Sequence, residues 1–346
     1  MSLTELILQA KAKKAQQLLF VVGSEPRAKI NSQWVSLRKS PGLPTEWGLL
    51  QQSLLSSAQK GMLESRGRVI GETALETTRI GYSFFQDEST MKAVLQLDLD
   101  NSKQELALPG GLLETCLQMK GMVVLASPQR GGQSLLLHRL LQKMNEEKPF
   151  LAVIYSQRPF SQIKEEKATF IYQTGHPTKE SEESLLEGAD VVVFEGLQES
   201  EDFVKAMELA ERGYFVIYSM NAPSMGNVLS RGLSVLNREF AAHGPARWAE
   251  VLKLVFCQYS MPGLGGESVF AHEMMLMKSG LQHLLAKGDV VELTRQLVHA
   301  PEQSGQISLN QSLLQHLIRR RIDLKTAFET SFDPEALDQH LKKVGI

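Results

Sequence analysis

The chain has 346 residues, 42% hydrophobic and 22% charged, with 37 Lys+Arg against 39 Asp+Glu and a formal net charge of -2. So apolar a chain with so little net charge is not mainly disordered, and its balanced charge excludes a strongly basic nucleic-acid binder. The longest apolar runs, such as Met122–Ala126 and Val191–Phe194, fall far short of the ~20 residues that a bilayer-crossing helix needs.

At about 150 residues per domain the length predicts two or three domains. The two cysteines, Cys116 and Cys257, form no CxxC pair. That excludes a Cys-based zinc site and speaks against a disulfide framework. The N-terminal residues carry Glu5 early and Lys11, Lys13 and Lys14 late, the wrong polarity for a secretory signal. The cytosol is the expected compartment.

Leu3, Leu6, Ile7 and Ala10 recur at helical spacing and predict a helix over 3–17. Leu18–Val22 is a short β-type run closed by Gly23, and Ala28–Val35 alternates weakly like a second strand. Residues 46–64 are expected to be helical; Val69–Gly71, Thr77–Phe85 and Lys92–Leu99 are expected strands. This first third predicts an α+β domain over 1–104 with a mostly antiparallel sheet. Leu108-Pro-Gly-Gly111 holds the strongest breakers in the chain, which places a linker at 105–114.

The remainder, 115–346, alternates differently. Gly121–Ala126, Phe150–Tyr155, Asp190–Phe194 and Tyr214–Tyr218 are apolar strands, with helices at Gln133–Asn145 and Glu199–Arg212. Such alternation predicts a parallel sheet covered on both faces. After residue 275 the pattern is helical: Leu281–Lys287, Val291–His299, Leu309–Arg320, Leu324–Thr330 and Pro334–Lys343.

Val123–Leu135 is a hydrophobic strand, a Gly-containing loop and the start of an amphipathic helix. This is the setting of a P-loop, where backbone N–H groups and a helix N-terminus cradle phosphates. Such a loop needs a Lys for the phosphates and a Ser/Thr for Mg²⁺. Ser134 is in place, but Gln133 stands where the Lys belongs. Taken alone, the segment is equally an ordinary strand–turn–helix connection.

Nearly the whole chain resembles the type IV pilus retraction ATPases, the PilT-like branch of the type II secretion ATPase family. Ser127-Pro-Gln-Arg-Gly-Gly-Gln-Ser134 aligns with that family's G-P-T-G-S-G-K-S. Residues 188–199 resemble its Walker B strand, 210–221 its histidine box, Phe270–Leu276 its A-H-E-I-M-I, and Ile307–Leu314 its Q-T-L-D-Q-S-L-L helix. The resemblance implies an α/β fold: a PAS-like α+β N-terminal domain and a RecA-like P-loop NTPase C-terminal domain with extra C-terminal helices. It also implies self-association, as a ring hexamer or a lower oligomer.

The departures from the family fall at the chemistry. The Walker A positions are Ser127, Pro128, Gln129, Arg130, Gly131, Gly132, Gln133 and Ser134, so the Lys is lost and two glycines are Ser127 and Arg130. The acidic box I-E-D-P appears as Ser156-Gln-Arg-Pro159. The Walker B-like positions are Asp190, Glu195 and Gly196, with the water-orienting glutamate's place taken by Gly196. The histidine-box position is Asn221, and two N-domain arginines fall on Gly81 and Gln96. Hydrolysis depends on positioned charge, so these losses together imply a pseudo-ATPase, with no confident catalytic or metal-binding residue. No cofactor is then expected.

The alternative is an active but divergent motor, with Glu195 as base, Ser134 on Mg²⁺, Arg130 compensating, and Mg-ATP or ADP bound. Expected partners are further copies of the chain, an active pilus retraction ATPase or a pilus platform protein. No nucleic acid is expected, and contact with the inner membrane would be peripheral at most. Plainer readings stand beside these. Ser134 is a helix-capping residue, Glu195 a solvated loop residue, and Asp190 an organiser of its loop. His272-Glu273 packs at a subunit or domain junction, and Met274, Met275 and Met277 are adaptable packing. Arg319-Arg-Arg321 is either a solvated helix end or a partner patch.

Overall fold

A computed structural model describes residues 3–13, 15, 17–30, 33–75, 78–97, 106–129, 131–156, 163–174, 179–196, 199–301 and 304–345. They fall into two compact units, one within Met1–Glu105 and one within Leu106–Gln157 and Gln162–Ile346.

The first unit opens with α1 (Leu3–Ala12), which buries Leu6, Ile7 and Ala10. The helix is shorter than expected, because Leu18 and Phe20 bury at a spacing of two and draw Gln17 into strand β1 (Gln17–Val21). The single strand expected over Ala28–Val35 is a hairpin, β2 (Arg27–Ile30) and β3 (Gln33–Ser36), with Ile30 opposite Gln33. The helix expected over 46–64 is two, α2 (Pro44–Leu54) and α3 (Ser57–Arg66). Ser56 divides them by capping α3. Its Oγ accepts from Gln59 N–H at 3.3 Å while Gln59 Oε1 accepts from Ser56 N–H at 3.0 Å. Strands β4 (Arg68–Leu75), β5 (Thr78–Gln86) and β6 (Met91–Gln96) complete an antiparallel sheet of order β3-β2-β1-β6-β5-β4. Leu18, Phe20, Tyr82, Phe84 and Leu95 of the sheet pack with Trp47, Leu50 and Leu63 of α2 and α3.

The second unit starts with α4 (Gly110–Leu117), capped by Pro109. Residues 110–114 of the expected linker are therefore helical. Pro109 ends the extended segment, and burial of Leu112 and Cys116 repays the two glycines at the helix start. The frame that follows is β7 (Met122–Ser127), α5 (Gln133–Glu147), β8 (Leu151–Ser156), β9 (Thr169–Thr174) and α6 (Lys179–Leu186). Next come β10 (Val191–Glu195), α7 (Ser200–Glu211), β11 (Phe215–Asn221), α8 (Met225–Phe240), α9 (Gly244–Val251), β12 (Leu252–Pro262) and β13 (Ser268–Leu276).

Seven strands form one sheet of order β13-β12-β7-β11-β10-β8-β9, parallel throughout except for the β12–β13 pair. The runs expected to share a sheet, Gly121–Ala126 and Asp190–Phe194, do so with β11 between them. All six residues of β7 are buried, as a strand covered on both faces requires. Five helices close the chain: α10 (Ser279–Ala286), α11 (Val290–Val298), α12 (Leu309–Ile318), α13 (Leu324–Thr330) and α14 (Pro334–Val344). The RecA-like expectation holds. No helix of the described residues is long and apolar enough to cross a membrane.

Candidate functional site

In open α/β sheets ligands bind at the carboxyl ends of the strands. Here β7 and β11 end side by side, Ser127 opposite Asn221, and β10 and β8 end with Glu195 opposite Ser156. Ser127, Pro128, Gln129, Gly131, Gly132, Gln133, Ser134, Glu195, Gly196 and Asn221 therefore share one edge. Arg130, and the Gln157, Arg158 and Pro159 that follow Ser156, lie outside the described residues. Asp190 is not part of the edge. It precedes β10 at the opposite end, where its Oδ2 accepts from Leu151 N–H at 2.9 Å and aligns the starts of β8 and β10.

The loop after β7 is held by its own backbone and by side chains from below. Gly131 N–H donates to Pro128 O at 2.8 Å, and Ser127 O accepts from Ala222 N–H at 2.9 Å. Gly132, at φ +84, stands before the first turn of α5. A Cβ there would lie 2.7 Å from Phe270 Cε1 and 2.8 Å from Gln258 Nε2. Glycine is thus required twice over, by conformation and by space. Gln258 Nε2 donates to Gly131 O at 3.0 Å and to Gly132 O at 3.1 Å, pinning the loop to β12.

Gln133 is directed into the sheet. Its Nε2 donates to Met220 O at 2.8 Å and to Leu125 O at 3.2 Å. Both amide hydrogens are spent on main-chain carbonyls of β11 and β7. Ser134, one position on, makes no capping bond among the described residues. Its Oγ donates to Glu195 Oε1 at 2.7 Å. Glu195 is the last residue of β10 and not part of the loop after it, and that position directs its carboxylate to the start of α5. There the helix dipole favours a negative charge. Gly196 follows at φ +68, donating its N–H to Ser219 Oγ at 3.3 Å. A glutamate in that place would have to adopt a left-handed backbone. Asn221 O accepts from Arg231 Nη1 at 2.6 Å.

A nucleotide's phosphates call for positive charge and free donors. The described loop residues carry no cation, the Gln133 amide is engaged, and a carboxylate occupies the helix start. Among the described loop residues, then, no side chain supplies the positive charge that the β- and γ-phosphates of ATP call for.

No protein-family profile matches the chain. It aligns with the "Type IV pilus retractation ATPase PilT" of Pseudomonas aeruginosa at 23% identity over 180 residues, 50% of this chain and 52% of that protein. A "Twitching motility protein" of Neisseria gonorrhoeae is 21% identical over 226 residues, 63% of this chain and 60% of that protein. The chain thus spans between half and two thirds of the curated relatives it matches. Among solved structures, the pilus retraction motor PilT with bound ADP superposes with a TM-score of 0.80 at 20% identity, over 98% of this chain and 99% of that one. The fold is PilT-like. The Legionella pneumophila ATPase DotB follows with a TM-score of 0.71 at 15% identity, over 94% of each chain.

Within this PilT-like fold, the two C-terminal segments that resemble the family lie against each other. Met274 of β13 bridges Ile307, and α12 packs on β13 through Ser312 Oγ, which accepts from His272 N–H at 3.1 Å. The pair His272-Glu273 is therefore inside the second unit. Glu273 is buried and accepts from Tyr259 Oη at 2.6 Å and from Met225 N–H at 3.2 Å. Burial raises its pKa, while those two hydrogen bonds oppose the rise. His272 stacks on Phe256 with ring centroids 5.2 Å apart. Met274, Met275 and Met277 are buried packing residues, as expected. In the first unit Gly81 and Gln96 face each other across β5 and β6.

Sequence reasoning missed Gln258 and Phe270. The available signal was a lone amide between the apolar run Leu254–Cys257 and Tyr259. A buried amide demands partners, and these partners are the loop carbonyls.

Proposed function

We propose that this chain is a PilT-like subunit of type IV pilus machinery that turns over no ATP and serves as a scaffold or regulator. The observation that carries the reading is the Gln133 amide, neutral and bonded to Met220 O and Leu125 O in the place where a phosphate-binding lysine would stand. What persists is the strand–helix frame and the β13–α12 contact, consistent with a chain kept for its surfaces. Its partners on this reading are further copies of itself, an active retraction ATPase or a pilus platform protein. Calorimetric titration with Mg-ATP and a turnover assay test it, alongside light scattering of the chain alone and mixed with a retraction ATPase. The expected results are no micromolar binding, no turnover above background, and a complex larger than one chain. Micromolar Mg-ATP binding or a strict monomer that joins no partner would overturn it.

One contact favours a second reading. A Ser hydroxyl beside a carboxylate, as in Ser134 and Glu195 at 2.7 Å, is the donor pair that holds Mg²⁺ next to a P-loop nucleotide. On that reading the chain is a divergent ATP-hydrolysing motor, and its turnover falls in Glu195→Gln.

A further inference from the structure

Helix α12 ends in a Schellman turn. Arg319 is its C-cap; Arg320 N–H donates to Leu317 O and Arg321 N–H to His316 O, both at 2.9 Å. In this turn the residue after the cap adopts the left-handed conformation that glycine prefers. The next residue is commonly apolar and packs back on the helix. Here those places hold Arg320, at φ +52, and Arg321. Local stability selects against both choices, so an outlier of this kind points to a role outside the fold.

All three arginines are exposed, and none forms an ion pair among the described residues. The nearest acid in sequence, Asp323, is turned to the start of α13, accepting from Thr326 N–H at 2.7 Å. The turn joining β12 to β13 is tied to the same point, with Leu264 N–H donating to Arg321 O at 2.9 Å. Leu264 is 60% exposed, Ile318 55% and Leu324 48%. A hairpin turn and a helix end thus present three aliphatic side chains among three unpaired guanidinium groups. With a net charge of only -2 on the whole chain, this positive charge is local.

Exposed aliphatic side chains beside unpaired arginines complement a surface that is both anionic and penetrable. The arginines meet the phosphates and the aliphatics enter the headgroup boundary. We propose that Leu264, Ile318, Arg319, Arg320, Arg321 and Leu324 form a docking surface for an anionic phospholipid bilayer.

Co-sedimentation of the full chain with phosphatidylcholine vesicles, with and without about one third phosphatidylglycerol, tests this. Binding is expected to the anionic vesicles alone and to weaken with salt. Arg320→Gly is expected to weaken it about fivefold while raising the melting temperature by about 1–3 °C. A purely structural arginine would not give that opposed pair of effects. Leu264→Ser is expected to weaken binding without changing its salt dependence. Equal binding to both vesicle types, a lower melting temperature in Arg320→Gly, or binding to polyglutamate but not to vesicles would each overturn the proposal. The last outcome would assign the surface to an acidic polypeptide.

Discussion

The side-chain amide of Gln133 and the main-chain carbonyl of Met220 are 87 positions apart in sequence and 2.8 Å apart in space. The bond ties the first residue of α5 to β11, and its companion at Leu125 O ties the same amide to β7. The Gln133 side chain is thereby an internal strut.

A strut can be removed. Gln133→Ala is expected to lower the unfolding free energy by about 1–2 kcal/mol, since two carbonyls lose a donor. Gln133→Glu should cost more, because it sets acceptor against acceptor. Urea titrations of the three proteins give the order, and equal stability of the Ala and Glu variants would contradict the bond.

Gly132→Ala should destabilise by about 2 kcal/mol or more, through its positive φ and the collision with Phe270. In Gly132→Ala combined with Phe270→Leu the steric part should shrink and the conformational part remain. A double-mutant cycle by chemical denaturation separates them.

Glu195 and Ser134 provide a kinetic check. For a silent subunit Ser134→Ala and Glu195→Gln leave phosphate release at background, and each changes stability by about 1 kcal/mol or less, since the contact is exposed. A measurable rate in the parent that Glu195→Gln abolishes would show the divergent motor instead.

Stability should depend on pH through His272. Burial, with a smaller contribution from nearby His316, holds its pKa at about 4, against an ordinary 6.5. The folded state favours the neutral ring, so the stabilisation is complete above about pH 6.5 and is lost as pH falls toward 4. His316, also lowered, mainly by burial, acts in the same direction. Glu273, raised by burial, acts oppositely, its contribution being lost as pH rises through its folded pKa. Comparing urea midpoints with His272→Gln isolates the histidine. The parent should lose about 1–3 kcal/mol more than the variant between pH 6.5 and 4.

Apolar periodicity by itself determined much of this protein. Val123–Ala126 and Val191–Phe194 are continuous apolar runs that only a doubly covered strand can bury, and they announced the parallel sheet. The Gly-containing stretch between β7 and α5 marked the edge where a site belongs. Where local signals compete, the reading failed. Ser56 splits a helix by capping, and β2 and β3 fold back within what alternates like one strand. Tertiary structure alone decided what the site residues do. Asp190 and Glu195 differ by one strand length, yet only Glu195 stands at the loop. Gln133 could have faced solvent, a phosphate or the sheet. The Met220 and Leu125 carbonyls settled it, because they bring two acceptors within reach of one amide, and that proximity exists only once β7 and β11 have paired.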